Sequence, residues 1–183
     1  MKRLCLINLM LWLIALFTCG SVENDSCYDY RALKKDYATV FLNIEYFEPV
    51  VMITSEGKME LRNDSAAERF ICFSLLGKNK GSYDVIAWDA LDDTYIGQGR
   101  ISDRVPLGIF SRQYNSYEYP NKFYSKPDYG SSYESDTTYI VDILRVLDCH
   151  GRWLKVEYES DGIKKEGWFP PEMQCDNVYS TCS

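Results

Sequence analysis

Residues 153–169 have the sequence WLKVEYESDGIKKEGWF, and this stretch decides the fold class. From Trp153 to Tyr158, apolar residues alternate with polar ones, as in a strand with one buried face. Asp161-Gly162 is a dipeptide typical of a two-residue hairpin turn. Pro170-Pro171 ends the returning strand, because proline cannot donate to a sheet ladder. The stretch therefore predicts an antiparallel β-hairpin.

Similar short strand patterns occur along most of the chain. The runs Val50–Ile53 and Phe70–Phe73 are rich in β-branched and aromatic residues. Turn residues bound them, among them Ser55-Glu56-Gly57 and the segment 77–81. After the first 20 residues, no stretch keeps a helical periodicity for three turns. These patterns predict an all-β protein.

The first residues have the order of a secretory signal. Lys2 and Arg3 precede an apolar run from Leu4 to Phe17, and small residues follow up to Ser21. The run is shorter than the roughly 20 apolar residues that a membrane-spanning helix needs. Residues 1–20 are therefore predicted to be a signal sequence, and the protein is predicted to be exported.

Two cleavage sites remain open in this signal. Leu16-Phe17-Thr18-Cys19 resembles a bacterial lipobox, in which Cys19 would carry the lipid. The competing site follows Gly20. We favour lipidation at Cys19, which predicts a periplasmic or outer-membrane lipoprotein. The sequence leaves open whether this lipoprotein is exposed at the cell surface. In that case the chain contacts a membrane only through its lipid anchor.

The charge balance excludes two classes of partner. The formal net charge is −7 at pH 7, and loss of Lys2 and Arg3 with the signal makes the protein more acidic. An acidic protein repels the phosphate backbone of nucleic acids and anionic membrane surfaces. We therefore expect no nucleic-acid partner. Composition does not indicate an oligomeric state.

Cysteines beyond the signal lie in an oxidising compartment if the protein is exported. They are Cys27, Cys72, Cys149, Cys175 and Cys182. We predict a disulfide between Cys175 and Cys182, while pairing of Cys149 with either one stays open. The chain has no Cys-x-x-Cys and only one histidine, so neither a metal site nor another cofactor is expected.

The C-terminal third resembles a known domain family. Its pattern resembles that of a bacterial SH3-type domain. The elements in common are the turn before Trp153, the pattern Trp153-x-Lys-Val, the Gly-bearing hairpin and Gly167-Trp168-Phe169-Pro170. Phe123–Pro127, followed by Ser131-Ser132, resembles the opening strand and loop of that family. The resemblance covers residues 121–175. It implies a small β-barrel whose aromatic residues line a peptide groove.

A weaker copy of the same pattern precedes it. Residues 83–88 align with residues 153–158, and Gly99-Arg100-Ile101 aligns with Gly167-Trp168-Phe169. Arg100 stands where the tryptophan of the pattern is expected. We predict two tandem SH3-like barrels, as in envelope lipoproteins of Gram-negative gut bacteria, which the arrangement resembles. The predicted segments are a signal (1–20), a tether (21–47), a divergent barrel (48–112) and a barrel with a cysteine-containing tail (113–183).

Aromatic residues are the strongest indication of function. Seven tyrosines crowd the start of the second copy: Tyr114, Tyr117, Tyr119, Tyr124, Tyr129, Tyr133 and Tyr139. We predict that Trp153, Trp168, Tyr124 and Tyr133 face a ligand, because such rings suit stacking and peptide grooves. The predicted function is a binding module that recognises peptidoglycan peptides or an envelope protein. The alternatives are an inhibitor or immunity protein that masks a secreted toxin or lytic enzyme, and a structural accessory lipoprotein.

The sequence does not indicate an enzyme. His150 is the only histidine and directly follows Cys149, and neighbouring side chains tend to point apart on an extended chain. The acidic pairs Asp92-Asp93 and Glu157/Glu159 are typical of solvated hairpins. We therefore expect no catalytic residues.

Overall fold

The computed structural model describes residues 36–112, 120–136, 143–160 and 162–179. The predicted signal, most of the predicted tether and Cys182 lie outside these residues. The described elements are antiparallel strands and one 3-10 turn, Pro171–Met173, so the all-β prediction is confirmed. Among the described residues, no helix is both long and apolar enough to cross a membrane. The strands are β1 (Ala38–Leu42), β2 (Val50–Thr54), β3 (Gly57–Leu61), β4 (Ile71–Asn79), β5 (Ser82–Asp89), β6 (Tyr95–Ser102), β7 (Leu107–Ser111), β8 (Asn121–Tyr124), β9 (Tyr133–Asp136), β10 (Leu144–His150), β11 (Trp153–Ser160), β12 (Ile163–Phe169) and β13 (Gln174–Cys175).

The strands form one open antiparallel sheet. Its order is β3-β2-β6-β5-β4-β1-β7-β10-β11-β12-β8-β9, and β13 pairs with β7. The hairpin predicted from residues 153–169 is β11 with β12, joined across register pairs from Leu154↔Phe169 to Ser160↔Ile163. Its inward residues Leu154, Val156 and Tyr158 are buried, as the alternation predicts.

The pairing pattern of the sheet occurs twice. In the first unit, β1 pairs with β4 and β7, β2 pairs with β3 and β6, and β5 lies between β4 and β6. In the second unit, β7 pairs with β10 and β13, β8 pairs with β9 and β12, and β11 lies between β10 and β12. The seventh strand of the first unit is therefore also the first strand of the second.

The registers of the two units also agree in detail. A β-bulge interrupts β4·β5 between Leu75 and Gly77, and another interrupts β10·β11 between Val146 and Asp148. Directly before each bulge, Leu75 pairs with Val85 and Val146 pairs with Val156. Two irregularities of the same kind at matching positions make the internal repeat a feature of the backbone.

The register corrects the predicted alignment by one residue. Gly99 pairs with Val85 as Gly167 pairs with Val156, so this part of the alignment agrees with the pairing. However, Tyr83 pairs with Ile101 as Leu154 pairs with Phe169. Tyr83 therefore corresponds to Leu154, whereas the sequence alignment placed it opposite Trp153. A shift of one residue turns every side chain to the other face of a strand.

Two strands connect segments that the sequence analysis predicted to be separate. Ala38–Leu42, which the sequence analysis placed in the tether, forms β1 between β4 and β7. All five of its residues are buried, so the strand has no polar face to mark it in the sequence. The predicted boundary after residue 112 lies just past β7, and Gly108 of this strand pairs with both Phe41 and Arg145.

The two units share one apolar core. A continuous cluster joins side chains of both halves, with Leu107 and Ile109 of β7 between them. Ala38, Val40 and Leu42 face this core, and Phe41 faces a smaller cluster on the opposite side of the sheet. The tail after β13 covers the smaller cluster through Val178, and the Tyr179 hydroxyl donates to the Glu68 carbonyl at 2.7 Å.

Candidate functional site

Four aromatic side chains of the second unit are in contact on one side of the sheet. We call Tyr124, Tyr129, Tyr133 and Trp153 the aromatic platform. The ring centroid of Tyr124 lies 5.2 Å from those of Tyr133 and Trp153 and 5.9 Å from that of Tyr129. The centroids of Tyr129 and Trp153 are 4.7 Å apart. Tyr124 is buried at the centre, while Tyr129 and Tyr133 are 58% and 50% exposed.

Strand alternation places the central ring of the platform. Phe123 points into the core, where its ring stacks on Tyr158 at a centroid distance of 3.6 Å. The next side chain on β8, Tyr124, therefore points to the opposite face, where the platform lies. Trp153 is the first residue of β11, directly after the turn at Gly151-Arg152. Gly151 has a φ of +56°, a conformation that suits glycine.

The loop between β8 and β9 carries Tyr129. The Ser125 amide donates to the Ser132 carbonyl at 2.8 Å and closes the loop at its base. At its tip, Asp128 Oδ1 accepts from the Gly130 amide at 3.0 Å, and Ser131 Oγ donates to the Asp128 carbonyl at 2.8 Å. Short side-chain bonds of this kind order a turn without regular structure. They hold Tyr129 beside Trp153.

Two polar groups contact the platform. The Tyr129 hydroxyl donates to Glu172 Oε2 at 2.7 Å, and Glu172 belongs to the 3-10 turn before β13. Burial, together with this hydrogen bond, raises the pKa of Tyr129 to about 12. Lys122 Nζ lies 5.0 Å from the ring centroid of Tyr133, within the range of a cation–π interaction. The platform is therefore an apolar surface with the cation of Lys122 and the carboxylate of Glu172 at its border.

Three of the four residues predicted to face a ligand lie in the platform: Tyr124, Tyr133 and Trp153. Trp168 is the register partner of Tyr124 on β12 and is partly buried, but the described ring contacts of the platform do not include it. Tyr129 belonged to the crowded tyrosines of the sequence but not to the predicted site. Glu172 carried no sequence signal, because it lies 43 residues from Tyr129 in the chain. Tyr114, Tyr117, Tyr119 and Tyr139 lie outside the described residues.

The first unit has no corresponding platform. Ile53 pairs with Arg100 at the position where Tyr124 pairs with Trp168. Ser82, which directly precedes Tyr83, occupies the position of Trp153. Aromatic side chains are thus replaced at all three positions, and the candidate site belongs to the second unit alone.

The cysteines differ in their state. Cys175 is disulfide-bonded, and the pairing with Cys182 stays a prediction because Cys182 lies outside the described residues. Cys149 is a free, partly buried cysteine at the end of β10. Burial raises the pKa of the Cys149 thiol to about 11, so little thiolate is present at neutral pH. In the described part of the chain, no group of three or more His, Cys, Asp or Glu residues could hold a metal ion.

No protein-family model, curated protein or solved structure matches the chain.

Alkaline unfolding tests the environment of the tyrosine beneath the platform. Burial is the main cause that raises the pKa of Tyr158 to about 12 from its ordinary value of 10.0. The folded protein keeps this proton after the unfolded chain has lost it. The associated stability is complete below pH 10 and is lost as the pH rises through about 12. We expect urea denaturation to show a smaller loss of stability between pH 10 and 12 for Tyr158→Phe than for the wild type; equal losses would contradict the assignment.

Proposed function

We propose that this chain is an exported, non-enzymatic protein of the cell envelope. It recognises peptidoglycan peptides or an envelope protein through the aromatic platform of its second unit. The observation that carries the proposal is the contact among four aromatic rings on one face of the sheet, two of them half-exposed. Exposed and packed aromatic residues are typical of binding surfaces.

The proposed architecture is two SH3-like units that share strand β7. The resemblance in residues 121–175 covers β8 to β13, and the same pairing pattern recurs in β1 to β7. In each unit the last strand returns to pair with the first, β7 with β1 and β13 with β7, and this connection recurs in both proposed barrels. These pairings support the proposed barrels, and the fold by itself does not imply a ligand.

The chemistry of the platform suits a peptide with apolar and polar parts. Tyrosine and tryptophan present flat apolar surfaces, and their ring edges can hydrogen-bond. Lys122 adds a cation at the edge of Tyr133. An extended peptide can therefore stack on the rings while its carbonyl and carboxylate oxygens meet donors at the border.

A pull-down with purified peptidoglycan tests the proposal. The mature protein, residues 22–183, should be retained on peptidoglycan, and free stem peptides should compete. Trp153→Ala should weaken binding by about 30-fold or more, because truncation of a central aromatic anchor usually costs at least about 2 kcal/mol. Tyr133→Ala should weaken it to a smaller extent, since Tyr133 lies at the edge of the platform and is half-exposed.

The matched control is Tyr95→Ala. Tyr95 is 43% exposed and packs edge-on against Trp88 in the first unit, away from the platform. The Tyr95→Ala variant should bind peptidoglycan as tightly as the wild type does. Wall binding that survives both platform substitutions would refute the proposal. If the protein does not bind the wall but recovers one protein from an envelope extract, the result would favour an inhibitor or a structural accessory lipoprotein.

A further inference from the structure

A polar cleft lies beside the aromatic platform, at the junction of the two units. It measures about 160 Å³ and is lined by the first residues of β1, the end of β7, the turn before β11 and the segment around β13. Its polar lining includes Thr39, Arg112, Arg152 and Gln174, together with Tyr37 and Asp176. None of them was predicted from the sequence to contact a ligand.

Two guanidinium groups give the cleft its charge. Arg112 Nε donates to the Gln174 carbonyl at 3.2 Å, and Gln174 Nε2 donates to the Arg152 carbonyl at 2.9 Å. Gln174 thus ties both arginine segments together. Asp176 also lines the cleft but already has an interaction partner. In the described part of the chain, no ion pair involves Arg112 or Arg152.

A buried hydroxyl in the cleft lacks a partner. Thr39 lies on β1, is only 7% exposed and lines the cleft. Its Oγ1 is enclosed and forms no hydrogen bond within the described residues. This oxygen is closed to solvent, so a ligand in the cleft does not reach it and the arginines are the donors that matter. Two guanidinium groups suit a carboxylate, which accepts paired bonds from arginine.

The cleft and the platform are neighbours. Arg152 directly precedes Trp153, and Pro171 directly precedes Glu172, which binds the Tyr129 hydroxyl. The charge of Arg152 also reaches Tyr129, where it acts to lower the pKa of the phenol. The Arg152 charge at the cleft is therefore close to the rings of the platform.

We infer that the cleft binds the free C-terminal carboxylate of a peptide whose preceding residues lie on the aromatic platform. This inference rests on the proposed function and specifies its ligand. It also predicts selectivity, since a peptide whose terminal carboxyl has been converted to an amide by cross-linking loses the charge that the arginines meet. The protein would then prefer wall peptides with a free terminal carboxylate to peptides whose own terminal carboxyl is part of a cross-link.

Calorimetry with a pair of peptides tests the inference. The probes are one stem tetrapeptide with a free C-terminal carboxylate and the same peptide with a C-terminal amide. We expect the wild-type protein, residues 22–183, to bind the acid at least about tenfold more tightly than the amide. Arg152→Gln and Arg112→Gln should each reduce this ratio towards one, chiefly by weakening the acid. Thr39→Val should leave the ratio unchanged, because the enclosed hydroxyl does not contact the ligand.

The controls separate this inference from the proposed function. Arg100→Gln removes an exposed arginine of the first unit and should leave the ratio unchanged. If both peptides bind equally and Trp153→Ala abolishes both, the platform stands and the carboxylate site is refuted. If neither peptide binds to the wild type, the carboxylate site and the recognition of wall peptides are both refuted, and an envelope protein is left as the proposed ligand.

Discussion

Phe123→Ala is expected to lower the free energy of unfolding by about 3–5 kcal/mol, the usual cost of removing a buried phenylalanine ring. The Phe123 ring stacks on Tyr158 at 3.6 Å and on Phe169 at 5.4 Å between centroids. Its Cβ also lies where a side chain on Gly167 would have to go. Truncation therefore leaves a cavity among three strands that cannot close without moving β8. Urea denaturation followed by circular dichroism measures the loss.

The same variant tests whether the two units unfold together. In a background of Trp153→Phe and Trp168→Phe, Trp88 is the one tryptophan of residues 22–183 and reports on the first unit. It is buried, and its indole Nε1 donates to Ser74 Oγ at 3.2 Å. Because β7 and one apolar core connect the units, Phe123→Ala should shift the Trp88 transition as well. An unchanged Trp88 transition would show that the units unfold separately. Ile163→Ala, at a 61% exposed position, is the control and should shift neither signal.

Gly99→Ala should lower the free energy of unfolding by about 1–3 kcal/mol or more, although it adds one methyl group. A Cβ at Gly99 would overlap the carbonyl oxygen of Ile53 and lie 2.9 Å from Met52 Cγ. The obstacle is the backbone of β2, so a change of side-chain rotamer cannot relieve it. Gly167 has the same role in the second unit, where a Cβ would lie 2.6 Å from Phe123 Cβ.

The control for the glycine prediction is Gly77→Ala. No atom lies within 4 Å of a Cβ built at Gly77, so the variant should change the free energy of unfolding by less than about 0.5 kcal/mol. Thermal and urea denaturation of both variants give the comparison. Equal stabilities would mean that β2 does not cross β6 as closely as the structure indicates.

The local sequence pattern was sufficient to predict a strand and its buried residues where one face of the strand is buried and the other is solvated. The alternation in β11 identified its inward residues, and the turn at Asp161-Gly162 located the hairpin. Pattern was insufficient for β1, since a strand buried on both faces has no polar side. It was also insufficient for Tyr83, because an aromatic residue suits either face and only the pairing partner decides which face it occupies.

The sequence predicted part of the candidate site in the same way and missed the rest. The abundance of tyrosine around β8 and the two tryptophans were visible in the sequence, and Tyr124, Tyr133 and Trp153 do lie together. Their neighbour Glu172 and the cleft formed by Thr39, Arg112 and Arg152 come from distant parts of the chain. Polar residues that lie so far apart in the chain share no sequence periodicity, so the sequence does not predict that they meet.

The sequence by itself determined the all-β class, the C-terminal hairpin and the aromatic character of the second unit, because each follows from neighbouring residues and their alternation. Only the tertiary structure decided that β7 serves both units, that the repeats are offset by one residue from their apparent alignment, and that an arginine cleft adjoins the platform. These features depend on strand order and register. Both are set by long-range packing of the shared core, in which residues distant in the chain compete for the same buried positions.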